Sequence, residues 1–239
     1  MCVPAMELNQ PLLTRLMEDV GAHFGAYLKR ILVASTEYGM FGLPLLDGLH
    51  ESLPATRCGD CGACCNSVSI FSIEYHRIIR FLLTGQPPDR VRAALRRVLQ
   101  LDGRLAEVAL ADGGRENRLR CAFRDDDQRT CLIHQVRPFA CRLFGLRRID
   151  GSRDCPHVME LAIDPPPLTD ERVEKLQAKM MDISEAHPLA DGKPPVAFFP
   201  FEFWAFRFAL GVPKALEIYR EILVPASTPL SGFYRAQVG

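Results

Sequence analysis

Hydrophobic residues recur at intervals of three and four in five stretches of the chain, and this spacing predicts amphipathic helices. The stretches run approximately over residues 10–38, 72–85, 87–103, 169–186 and 213–223. Ser72 and Thr169 stand at the start of the second and fourth stretches as N-cap residues, and Gly85 closes the second. Each predicted helix has an apolar face, so we expect the helices to pack against one another.

The segments between these helices carry weaker patterns. Residues 39–57 begin with Gly39, Gly42 and Pro44, which predicts an irregular linker. Two short apolar segments, 119–123 and 130–133, flank a polar stretch and predict a small β-hairpin with a cysteine on each strand. We expect no large sheet and fewer than five strands. The predicted fold class is mainly α, with helices packed around a cysteine-rich, loop-dominated centre.

Residues 198–208 hold seven aromatic side chains in eleven positions. The segment is too short to span a bilayer, which takes about 20 apolar residues. A helix that is apolar on nearly all sides is usually buried, so we predict that this segment belongs to the core. The alternative is an exposed patch that binds a partner.

Composition limits the classes of function. The 239 residues are 48% hydrophobic and 24% charged, with a formal net charge of zero and a pI near 7.0. A neutral chain has no bulk attraction to nucleic acid or to an anionic membrane, so we expect neither partner. The N-terminus lacks the basic start and apolar core of a signal peptide, which predicts a cytoplasmic protein. Cytoplasmic thiols stay reduced and are available to metals.

Eight of the nine cysteines lie between Cys58 and Cys155, and four of them form the run Cys58-Gly-Asp-Cys61-Gly-Ala-Cys64-Cys65. Cys-x-x-Cys is the spacing of zinc knuckles and ribbons. Its repetition is also the pattern that surrounds an iron–sulfur cluster in ferredoxins. The run therefore predicts a metal site and leaves zinc and an iron–sulfur cluster, [4Fe–4S] in particular, both open.

The other cysteines complete the candidate ligand set. Cys121, Cys131 and Cys141 follow at intervals of ten, and Cys155 is the last. Adjacent side chains diverge, so one ion is not easily bound by both members of the Cys64–Cys65 pair. Eight thiolates match two four-ligand sites, or one [4Fe–4S] cluster with spare structural cysteines. We expect at least six of the eight sulfurs to lie in one compact cluster.

Charged residues beside the third cysteine block are candidates for a supporting role. Arg137 and Arg142 can offset thiolate charge and donate hydrogen bonds to sulfur, which makes them candidate cofactor-binding residues. The alternative is an ion pair with a carboxylate such as Asp125 or Glu74. Pro138 is predicted to start a short helix that carries Cys141 one turn in. An isolated histidine such as His134 is more often structural than a ligand.

The cysteine run, Cys121 and the block Cys131…Arg137-Pro138…Cys141-Arg142 together resemble the CxxCxxCC family of YkgJ-like zinc- or iron-chelating domains. The resemblance spans roughly residues 57–157 and implies bound zinc or iron. With the proline run at 165–167, it suggests three parts: an N-terminal helical segment (1–54), a cysteine-cluster domain (55–163) and a C-terminal helical segment on the same core (164–239).

Three functions fit these observations. The first is a metal-binding protein, preferably iron–sulfur, of unassigned biochemical role. The second is a cluster-dependent enzyme that modifies a protein or peptide side chain, because the cysteine run also resembles that of flagellin lysine N-methylases. The third is a zinc-stapled structural or adaptor domain. No P-loop and no G-x-G-x-x-G motif is present, so no nucleotide site is predicted.

Overall fold

The computed structural model describes residues 42–54, 56–57, 65, 67–99, 120–125, 128–144, 146, 148–149, 152–153, 159–160, 168–186 and 198–223. The predicted N-terminal helix at 10–38 lies outside the described residues, as do Cys58, Cys61, Cys64 and Cys155. The segment boundaries predicted at 54 and 163 stay predictions.

Helices dominate the described part of the chain. Its seven α-helices are α1 (Gly42–Glu51), α2 (Ser72–Gly85), α3 (Pro88–Leu99), α4 (Phe139–Leu143), α5 (Asp170–Ala186), α6 (Phe201–Leu210) and α7 (Val212–Ile218). A 3-10 turn at His134–Val136 precedes α4, and a π-helical turn at Tyr219–Leu223 follows α7. The mainly α fold class is confirmed.

In the described part of the chain, eight short strands accompany the helices. They are β1 (Thr56–Arg57), β2 (Ser69–Phe71), β3 (Arg124–Asp125), β4 (Thr130–Cys131), β5 (Arg148–Ile149), β6 (Ser152–Arg153), β7 (Met159–Glu160) and β8 (Phe198–Pro200). They form four antiparallel pairs: β1 with β7, β2 with β8, β3 with β4, and β5 with β6. The expectation of fewer than five strands and one hairpin is therefore wrong. Each strand has only two or three residues, and no described sheet exceeds two strands.

The predicted hairpin exists, but its first strand lies at 124–125, just after the predicted 119–123, and its second strand is shorter than predicted. Arg124 pairs with Cys131 and Asp125 with Thr130. Cys121 precedes β3 instead of lying on it, because Ala122 and Phe123 form a turn in which the Arg124 amide donates to the Cys121 carbonyl at 3.1 Å. Arg129 has a φ of 52°, the left-handed geometry that a tight connection between two strands requires.

The predicted linker contains a helix. Leu43, Leu46 and Leu49 of α1 are all buried, at the three-residue spacing of a helical face. Pro44 does not break the helix because it lies in the first turn, where the amide groups have no intrahelical acceptor. The prediction of an irregular linker over this segment is therefore wrong, because Gly42 and Pro44 lie in the first turn of a short amphipathic helix.

Helix α2 lies at the centre of the fold, between two hydrophobic clusters. The first cluster joins Tyr75, Ile78, Ile79 and Leu82 of α2 to α3, the β3–β4 hairpin, α6 and α7. The second cluster joins Ile73 of α2 to α1, α4 and α5. Because both sides of α2 are covered, its polar side chains Glu74 and His76 are buried too.

Helix α5 has the N-cap and the buried apolar face that its sequence predicts. The Arg172 amide donates to Thr169 Oγ1 at 3.3 Å, and Val173, Leu176, Met180 and Ile183 of α5 are buried, as predicted.

The aromatic segment is confirmed as core. Trp204 is buried, and its indole N–H donates to the Ile70 carbonyl at 3.1 Å. Phe199 and Phe203 stack with ring centroids 3.9 Å apart. Among the helices of the described residues, none combines the length and the apolar character that crossing a membrane demands.

Candidate metal centre

Four of the predicted ligands lie around one cavity. Cys65, Cys121, Cys131 and Cys141 line a mostly apolar cavity of about 100 Å³, and all four carry thiols instead of disulfides. Water occupies about 30 Å³ per molecule in the liquid, so the space equals roughly three waters. Sites for small organic molecules usually measure about 300–1,000 Å³. The cavity is therefore of a size for an inorganic centre.

Three separate segments bring these cysteines together. The Cys121 amide donates to the Cys65 carbonyl at 2.9 Å, which joins the end of the cysteine run to the hairpin. Cys131 lies on β4, where the following Leu132 amide donates to the Phe123 carbonyl at 3.0 Å. Cys141 lies on α4, which begins after Pro138 as predicted. Backbone hydrogen bonds thus fix the two hairpin cysteines relative to each other.

Helix α4 is held in place by a buried carboxylate that the sequence did not single out for this role. Glu74 is only 2% exposed. Its Oε2 accepts from the Phe71 amide at 3.1 Å at the start of α2, and its Oε1 accepts from the Phe139 amide at 2.5 Å at the start of α4. One side chain therefore caps two helices, and the second carries Cys141. Its partners are 3 and 65 positions away, so no local motif marks the second contact.

Burial determines the charge around Glu74. Desolvation raises the Glu74 pKa to about 7, although the two amide hydrogen bonds, Arg77 and Arg142 act in the opposite direction. Desolvation also lowers the pKa of His50 to about 3, with Arg77 and Arg142 adding to the effect. His50 Nε2 lies 4.0 Å from Glu74 Oε1, and neither ring nitrogen has a hydrogen bond within the described residues. His50 is therefore neutral at pH 7, and the contact is not an ion pair.

The two predicted arginines occupy different positions. Arg137 lines the cysteine cavity, and its buried Nε has no hydrogen-bond partner among the described residues. Arg142 instead donates through Nε to the Arg137 carbonyl at 3.1 Å and through Nη2 to the Gln135 carbonyl at 2.7 Å. Arg142 thus stabilises the turn that presents Arg137.

The thiols influence one another electrostatically. Burial raises the pKa of Cys141 well above its usual value, and the neighbouring Cys121 and Cys131 raise it further. The Arg137 guanidinium acts in the opposite direction and lowers the Cys141 pKa. A bound cation would stabilise the thiolates that this apolar cavity disfavours.

A second buried carboxylate lies at the cavity wall. Glu202 is 1% exposed, and Ser67 Oγ donates to its Oε2 at 2.6 Å. Both residues line the cysteine cavity. A single acid inside the aromatic stretch Phe-Glu-Phe-Trp was an available sign of this role, because a buried carboxylate needs a polar partner.

These residues fit a metal site in their chemistry. Four thiols and a guanidinium whose Nε has no described partner share one cavity. Within the described ranges, however, no three His, Cys, Asp or Glu side chains are grouped so that they could hold a metal ion by themselves. The described thiols are thus one part of the predicted ligand set. The expectation of six converging sulfurs stays a prediction, because Cys58, Cys61, Cys64 and Cys155 lie outside the described residues.

The comparison with protein families covers the same part of the chain. Residues 57–158 match the CxxCxxCC family model, described as a "putative zinc- or iron-chelating domain". The matched span contains all eight candidate cysteines and both arginines. Neither a curated protein nor a solved structure matches the chain significantly. Over residues 57–158 the chain thus matches the model of the CxxCxxCC zinc- or iron-chelating family, the family that the cysteine pattern predicts.

Proposed function

We propose that this protein is a cytoplasmic metal-binding protein with an iron–sulfur centre at the cysteine cavity. The observation that carries the proposal is the meeting of Cys65, Cys121, Cys131 and Cys141 around one small apolar cavity. The proposed ligands come from the full set: Cys58, Cys61, Cys64, Cys65, Cys121, Cys131, Cys141 and Cys155.

The surroundings favour an iron–sulfur centre over a single zinc ion. A structural zinc site is satisfied by four ligands, whereas this domain carries eight cysteines, two of them adjacent. Hydrogen bonds to sulfur and a low-polarity environment are the means by which proteins tune such centres. Arg137 supplies a donor with no described partner, and the cavity lining is mostly apolar. The bound cluster would supply one-electron chemistry or Lewis acidity.

Anaerobic purification tests this proposal. Iron, acid-labile sulfide and zinc are measured per chain together with the visible absorption spectrum. A brown protein with iron and sulfide supports the proposal. A colourless protein with stoichiometric zinc supports the zinc-stapled adaptor instead, and a protein without either metal overturns both.

A second function, a cluster-dependent enzyme, is favoured by one further observation. A pocket of about 430 Å³ lies beside the cysteine cavity, and Ala122, Phe123, Arg124 and Cys131 line both. Its size falls in the range of small-molecule sites, about 300–1,000 Å³. An enzyme that acts through the centre needs a substrate site next to it, and this pocket meets that requirement. Turnover of a peptide by the metal-loaded protein, lost after chelation, would support this function.

A further inference from the structure

The pocket beside the cysteine cavity lies between helix α3 and the β3–β4 hairpin. We call it the arginine pocket; from α3 it is lined by Arg90, Ala93, Ala94 and Arg97. Positions 90, 93, 94 and 97 lie on one face of a helix, because they are spaced by three, four and seven residues. The two alanines are small and leave space between the two arginines. The helix therefore builds a recess with a cation at each end.

The two arginines are well separated. Seven residues at 1.5 Å each place their Cα atoms about 10 Å apart along the helix axis. Arg97 Nη1 donates to the Arg124 carbonyl at 2.7 Å, which holds its guanidinium towards the hairpin. Arg90 is exposed at the other end of the recess.

The hairpin side of the pocket carries both polar and apolar side chains. Gln128 and Thr130 are exposed and line it. The one acidic residue among the described lining residues is Asp125, and its Oδ1 accepts from the Gln128 amide at 2.9 Å. Part of its hydrogen-bonding capacity is thus used within the hairpin turn. Among the described lining residues, the three arginines Arg90, Arg97 and Arg124 outnumber this single acid.

We propose that the arginine pocket binds a small organic anion through a carboxylate or phosphate group. The guanidinium fork matches both of these oxyanions, and such charge-assisted hydrogen bonds are the stronger ones. The amide and hydroxyl of Gln128 and Thr130 would contact the polar remainder of the ligand. Because the pocket lies next to Cys131, the proposal extends the enzyme hypothesis, which rests on the proposed metal centre. The binding of the anion itself does not depend on that centre.

The test uses the full-length protein as purified, with metal content measured on the same sample. Succinate represents a carboxylate source and glycerol 3-phosphate a phosphate source. Succinamide and glycerol are their uncharged counterparts. Ligand-observed NMR gives the dissociation constants, which we expect in the millimolar range because the pocket is open and solvated. Binding of only one anion identifies the source, and binding of both supports the shared chemistry.

Two substitutions on the same helix provide a matched comparison. Arg90→Gln should weaken anion binding about threefold to tenfold, the effect of losing one partly exposed charge-assisted contact. Arg96→Gln removes an equally exposed arginine that does not line the pocket and should leave binding unchanged. The double variant Arg90→Gln, Arg97→Gln should abolish binding.

Three results overturn the inference: neither anion binds, the uncharged counterparts bind equally well, or Arg90→Gln and Arg96→Gln behave alike. Full metal content without anion binding contradicts this inference and is consistent with the proposed metal centre. Anion binding by a protein that contains no metal supports this inference and overturns the proposed metal centre.

Discussion

The two cavities beside the β3–β4 hairpin differ in almost every physical property although they share a wall. The cysteine cavity is small, mostly apolar and lined by four thiols, whereas the arginine pocket is about four times larger and has a more polar lining. Cys131 and Phe123 belong to both. The difference comes from the element that faces the hairpin: the turn and helix carrying Arg137 and Cys141 on one side, and α3 on the other.

The hairpin forms a partition between the two cavities. On one side the hairpin region brings Cys121 and Cys131 to the cysteine cavity, and on the other it brings Gln128 and Thr130 to the arginine pocket. A ligand in the arginine pocket would lie beside Cys131, which lines both cavities. The variants below test whether the two cavities are chemically independent or coupled through this partition.

The largest effect is expected for Cys141→Ser, which changes the cysteine cavity alone. If Cys141 is a ligand, the variant should lose metal and stability together, because metal binding contributes directly to folding, by on the order of 10 kcal/mol in small zinc domains. Metal analysis and thermal unfolding measure the two quantities. The anion affinity of the chains that remain folded should not change, since Cys141 does not line the arginine pocket.

Cys2→Ser is the control for this variant. Cys2 lies outside the cysteine constellation, so neither metal content nor melting temperature should change. A Cys141→Ser protein with full metal occupancy and unchanged melting would remove Cys141 from the ligand set.

The next effect concerns Glu74→Gln. The carboxylate accepts from two amides, whereas a glutamine directs its NH₂ group at one of them and leaves that donor unsatisfied. We expect a loss of about 1–3 kcal/mol in the free energy of unfolding, measured with urea. Metal affinity should also fall, because α4 carries Cys141, while anion binding stays unchanged.

Glu185→Gln is the matched control, because Glu185 is an exposed acid on α5. Surface substitutions of this kind usually stay within about 0.5 kcal/mol. If both variants unfold at the same urea concentration, Glu74 does not hold α4 in place.

A smaller effect, dependent on pH, is expected for His76 in the aromatic core. Burial, with a contribution from Arg207, lowers the pKa of His76 to about 3. A neutral histidine in the folded state gives stability that is complete above the unfolded pKa of about 6.5 and is lost as the pH falls towards 3. His76→Phe keeps the edge-to-face contacts with Tyr75 and Phe208 but cannot bind a proton.

The difference in unfolding free energy between wild type and His76→Phe should therefore shift in favour of the variant as the pH is lowered from 7 to 5. Urea unfolding at several pH values measures the slope. Since both proteins carry the same metal site, its own acid sensitivity cancels in the difference. Parallel pH profiles would show that His76 does not titrate on unfolding.

The elements that were predicted correctly are those in which the hydrophobic pattern repeats over several helical turns. Helices α2 and α5 cover three or more turns, and Thr169 marks the start of α5. Apart from the β3–β4 hairpin, the described strands were not predicted, because a ladder of two or three residues has no recognisable alternation. They depend on partners far away in sequence, as when Ser69 pairs with Pro200.

The same distinction applies to the site. Cysteine spacing and the Arg137–Pro138 block are local patterns that predicted a metal site, and four of its candidate ligands line one cavity. The support from Glu74 and the Ser67–Glu202 pair depends on contacts across 65 and 135 positions, so it emerged only from the fold. Arg137 and Arg142 were predicted to have the same role. In the structure Arg137 lines the cavity, whereas Arg142 donates to backbone carbonyls.

The smallest effect is expected for His134→Gln, which tests how far the cysteine cavity relies on thiols alone. His134 is exposed, yet it lines the cavity near Cys131, and imidazole is a common metal ligand. Because eight thiolates already exceed the needs of one centre, metal content and the visible spectrum should stay near those of the wild type. Loss of metal, or a shift of the spectrum without unfolding, would place a nitrogen ligand in a site that we assign to sulfur.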